Sequence, residues 1–147
     1  MKKTKFFYII IGVLTLINAA KADLNVSLKK YLDGVDLENG STQIYLLERC
    51  SAVYAYASGI VLKSDAVSSK NFIEISNNLL FKSVELMVID ENKKLEEAQK
   101  EAEKNREELF NNYIIDGKKN WEKNKSHFKG SYISDDMAIC SKLIEEN

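Results

Sequence analysis

Apolar residues recur at three- and four-residue steps along most of the chain, the spacing that gathers them on one face of an α-helix. In residues 24–33, Leu24, Leu28, Tyr31 and Leu32 share such a face. This predicts a short amphipathic helix that Gly34 can close with a positive φ, followed by a loop over 35–40. From Ser41 to Lys63 the apolar arc is broad. Ile44, Leu47, Tyr54 and Val61 mark one side, and Leu46, Cys50, Val53, Ala57 and Ile60 the adjacent one. An arc that wide belongs to the most buried helix of a bundle, with Ser41 as its N-cap. The small residues at its centre, Ser51, Ala52, Ala55, Ala57, Ser58 and Gly59, let neighbouring helices pack closely.

A polar turn over 64–70 leads to a third helix capped by Ser68 or Ser69, with Phe72, Ile75, Leu79, Leu80, Val84, Leu86 and Met87 in helical phase. The same phase continues through Leu95, Ala98, Ala102, Leu109 and Tyr113, so residues 69–115 read as one long helix or two. Asp90, Glu91 and Asn92 compete with helical hydrogen bonding, and a kink or short break is expected near Asn92. Residues 93–108 are nearly all charged or Ala, a solvated helix with a thin seam toward the body. Glu96 with Lys100, and Lys104 with Glu108, are spaced for weak pairing. Helix, or helix-turn-helix around Gly117, continues to Phe128. A turn at 129–131 precedes a last helix capped by Ser134. Asp135 and Asp136 favour its first turn, Ile133 can staple back on it, and Met137, Cys140, Leu143 and Ile144 point inward.

The first residues follow a different rule. Lys2, Lys3 and Lys5 precede an apolar run from Phe6 to Ile17, and small residues Ala20 and Ala22 stand before Asp23. That is the layout of a secretory signal, cut between Ala22 and Asp23. The twelve-residue run is short of the ~20 needed to span a bilayer, and no cysteine lies at the cut to accept a lipid. The expected domains are a signal peptide, 1–22, and a single helical domain, 23–147, with no stable membrane insertion after cleavage.

Cysteine use fits that address. Cys50 and Cys140 are the chain's two cysteines, far apart in sequence and with no metal-ligand cluster around them, and in an oxidising compartment such a pair reads as one disulfide. Closing a loop that long is worth roughly 4–5 kcal/mol in the chain-entropy model. The chain has no proline and six glycines, which predicts long helices and few turns. Its Lys, Asn and Ile content suits an AT-rich bacterial genome. N-x-S triplets at Asn25, Asn39 and Asn124 carry little weight among so many asparagines.

Charge narrows the partners. The four leader lysines leave 17 basic against 22 acidic side chains in residues 23–147, a net −5. A mildly acidic surface offers no footprint for a phosphate backbone, so no nucleic acid is expected.

Candidate chemistry is sparse. His127 is the single histidine, which rules out a di-iron bundle built on two Glu-x-x-His motifs and leaves a hydroxyl or thiol nucleophile one imidazole to draw on. No phosphate loop, HExxH or EF-hand pattern occurs, so no catalytic, cofactor or metal residues are assigned. Most aromatics, including Phe72, Phe81, Phe110 and Tyr113, read as core, while Tyr56 and Trp121 are the candidates for a partner surface. The general layout is similar to that of small cysteine-paired helical proteins of bacterial envelopes, stress chaperones and inhibitors among them. No motif selects either.

These readings converge on an all-α protein: a small bundle of about four helices, one of them long, closed by a disulfide and preceded by a signal peptide. It is expected in the periplasm or secreted, binding an envelope protein or a small hydrophobic ligand without catalysis. The alternatives are a periplasmic stress-chaperone or inhibitor role, and a hydrolase using a carboxylate pair.

Overall fold

The computed structural model describes residues 26–145, and the expected cleavage site at Ala20, Ala22 and Asp23 lies outside that range. Among the described residues five helices follow in order: α1 Leu28–Leu32, α2 Gly40–Val61, α3 Ala66–Asp90, α4 Leu95–Asn124 and α5 Tyr132–Glu145. There is no strand among the described residues, and none of the described helices is long and apolar enough to cross a membrane.

Helix α2 is the axis of the bundle, as its wide apolar arc implies. Helix α3 runs antiparallel to it, and the contacts give the register. Ser51 faces Ser76 and Ser58 faces Ser69, so seven residues forward on one helix are seven backward on the other. Each hydroxyl of the buried Ser51–Ser76 pair donates to the other residue's carbonyl at 2.8 Å. Side chains this small bring the helix backbones close. Helix α4 then runs parallel to α2: Glu48 meets Asn105, while Tyr56 meets Gly117 two turns on. At 30 residues it is ~45 Å long. Helix α5 returns to α2 and α1 and is tied by the Cys50–Cys140 disulfide.

The core divides in two. The larger part gathers Leu28, Val53, Tyr54, Tyr56, Leu79, Leu109, Tyr113 and Ile133 around the disulfide. The smaller is a seam of Ile44, Val84, Met87, Ala98 and Ala102 where α2, α3 and α4 meet. The charged stretch of α4 thus lies on the body through its alanines, both fully buried.

Several boundaries correct the sequence expectations. The α2 cap is Asn39, whose Oδ1 accepts Ser41 N–H at 2.9 Å, rather than Ser41 itself. The α3 cap is Asp65, accepting from Ser68. Helix α5 starts before Ser134, with the Ser131 hydroxyl accepting Ile133 N–H. In each case a better or earlier acceptor takes the orphaned N–H. Gly34 is not at positive φ; Asp33 caps α1. The break near Asn92 is real: α3 stops at Asp90, Asn92 takes φ 54° and α4 restarts at Leu95. No break occurs at Gly117. That glycine serves contact, since a Cβ there would overlap the Tyr56 hydroxyl.

Candidate functional site

Four places bring chemistry-bearing side chains together, and the deepest is a charged node beside the disulfide. Arg49 and Asp136, both at most 1% exposed, pair at 2.7 Å. Every participant is accounted for. Arg49 also donates to the Tyr45 hydroxyl, the Val26 carbonyl and the Tyr113 hydroxyl, while Asp136 accepts from Tyr113 Oη and from Leu28 N–H at 2.7 Å each. Burial works against the guanidinium charge, but Tyr113, Asp136 and Tyr45 around it win, and its pKa rises. Burial likewise pushes the Tyr113 hydroxyl well above its ordinary range. A carboxylate surrounded by four donors is held firmly in place. The node fastens α2, α4, α5 and the segment before α1 at one point.

A second carboxylate, Glu48, is 2% exposed at the α2–α4 seam. Its two oxygens each accept from Asn105 Nδ2 at 3.2 Å. Burial pushes its carboxyl up to about 7; Asn105 and Lys93 pull down, and Glu101 and Glu91 add to the rise.

The third place holds both expected surface aromatics. Tyr56 is only 4% exposed, a correction to its expected role at a contact surface. The missing side chain of Gly117 lets its ring sink between α2 and α4, and the buried hydroxyl bonds His127 Nδ1 at 3.0 Å. Burial lifts this hydroxyl to about 12. Trp121 does reach solvent, 47% exposed, stacked on the His127 ring at 4.9 Å between centroids. The loop carrying His127 is held by Asn120, which donates to the carbonyls of Ser126 and Lys129.

The fourth is an open groove of about 940 Å³ between α2, α3 and the end of α5. Leu46 and Leu47 of α2, Ile75, Leu79 and Leu86 of α3, and Leu143 and Ile144 of α5 make an apolar floor. Gln43, Asn78, Lys82 and Glu85 edge it. Phe81, expected in the core, is 66% exposed at this edge, and Leu37 54%. Helix α3 turns its other faces to α2 and α4, leaving Phe81 to the open side.

The sequence reading missed Arg49, Asp136, Tyr113 and Glu48 as a set. One signal was present: Glu48 and Arg49 interrupt the widest apolar arc of the chain, and charge at the centre of a buried helix implies partners. Among the described residues, no group of three or more His, Cys, Asp or Glu is placed to hold a metal. No family model, curated protein or solved structure matches the chain.

Proposed function

We propose that residues 23–147 form an exported, non-catalytic binding protein of the bacterial envelope, with the groove between α2, α3 and α5 as the site for a small apolar ligand. The observation that carries this reading is the groove itself. Its volume of about 940 Å³ falls at the upper end of the ~300–1,000 Å³ typical of ligand pockets. An apolar floor with a few polar groups at the edge is the composition such sites use to gain affinity from burial and orientation from hydrogen bonds. The disulfide is compatible with an oxidising, non-cytoplasmic compartment, and the signal-like first 22 residues support delivery to the periplasm or beyond.

Titrating the mature protein with a dye that fluoresces in apolar surroundings tests the site. Saturable binding at one equivalent is expected. It should weaken tenfold or more in Leu86→Glu and stay unchanged in Trp121→Ala. Binding that ignores Leu86→Glu, or that never saturates, removes the groove as the site.

A second reading, an envelope protein as partner, is favoured by the exposure of Phe81 and Leu37 beside the groove, since adjoining exposed apolar side chains mark interaction surfaces. Capture of one envelope protein by the wild type, lost in Phe81→Glu, would support it over a small ligand.

A further inference from the structure

Glu48 has a setting that its immediate partners do not explain. It sits one turn beyond Ile44 in the seam where α2, α3 and α4 meet, 2% exposed. A carboxylate that deep ordinarily has a cation or several N–H donors. Its hydrogen-bond partner is the neutral amide of Asn105, reached by both oxygens. From α4, Glu101 also bears on it, and from the α3–α4 elbow Glu91 and Lys93. The Lys93 ammonium is itself bound to Glu91 and Glu101 at 2.7 Å each. From α3 the seam receives Val84 and Met87, which carry no charge. On α2 itself, Arg49 is committed to Asp136.

We propose that Glu48 is a proton-operated latch for the first half of α4. When protonated, it lets Ala98, Ala102 and Asn105 close on α2; when ionised, it loosens that contact about the 91–94 elbow. The geometry supplies both halves of such a device. Alanines at the seam give α4 a close but shallow seat, and the elbow at Asn92, outside any helix, gives it a place to turn. The sign follows from the direction of the shift. The folded carboxyl, pushed up to about 7 from its ordinary 4.5, keeps its proton to higher pH than the unfolded one. The closed seat is therefore favoured in acid, and that advantage is lost as pH rises from the ordinary value through about 7.

Hydrogen exchange of the mature protein, corrected for intrinsic rates, reads this directly. Amides of residues 98–108 should lose protection by roughly tenfold or more between pH 5.5 and 8.5, with a midpoint near 7. Amides around Ser51 and Ser76 should hold theirs. Glu48→Gln, neutral at all pH, should keep acid-like protection throughout, and Glu101→Gln should move the midpoint down. Protection at 98–108 that is flat in the wild type, or that falls equally in Glu48→Gln, overturns the latch. Should Glu48→Gln fail to fold, ¹³C titration of the Glu48 carboxyl in the wild type decides the matter. A midpoint near 7 supports the latch, and one below about 5 overturns it.

Discussion

Arg49 and Asp136 are placed where charge is expensive, and the surrounding residues explain why they persist. Removing one partner strands the other in a dry interior, a loss of about 3–5 kcal/mol in comparable buried pairs. Asp136→Ala is expected to lower unfolding free energy by that amount in a urea titration. The double variant Arg49→Met, Asp136→Leu should lose less than Asp136→Ala alone, because no charge is left unpaired. Gly117 makes a second test at this scale. Glycine to alanine within a helix usually stabilises by ~0.5–1 kcal/mol. Here the added methyl meets the Tyr56 hydroxyl, and Gly117→Ala is expected to destabilise by ~1–3 kcal/mol instead. Thermal melts of the two proteins give the sign. Sequence alone could not find this requirement, since a helical glycine looks the same whether it breaks, bends or admits a neighbour.

Helices were the legible part of this chain, because their apolar phase is set by neighbours a few residues away. Ala98, Ala102, Leu109 and Tyr113 were read as one seam, and all four are buried. Asn92 was read as a break and is one. Caps were less legible: Asn39, Asp65 and Ser131 lie within a few residues of Ser41, Ser68 and Ser134, each able to do the same work. The groove and the pairing of Arg49 with Asp136 were not legible, since each joins residues that are distant in sequence, as Leu46 to Leu143 and Arg49 to Asp136. Helix ends offer their own test. Lys125 closes α4 at φ 54°, a conformation that disfavours side chains with a Cβ. Lys125→Gly is expected to raise stability by ~0.5–1 kcal/mol. Asn92→Gly, at the same φ, should gain less because asparagine tolerates that region. Paired denaturant titrations compare the two.

At the scale of the whole molecule, the disulfide spans 90 residues and joins the central helix to the last one. Replacing both cysteines by alanine, or adding reductant, is expected to cost ~2–5 kcal/mol, read as a lower melting temperature. The loss should be greatest for α5, which the Cys140 sulfur bolts directly to the central helix.

The elbow at residues 91–94 lies between the two bridged cysteines, with Cys50 before it and Cys140 after it. A protease that clips there leaves the pieces covalently joined. The nicked product would keep its full mass on a non-reducing gel and separate into two bands once thiol is added. Such a two-piece form, with new termini at an exposed bend, offers a natural place to insert a reporter or to exchange either half.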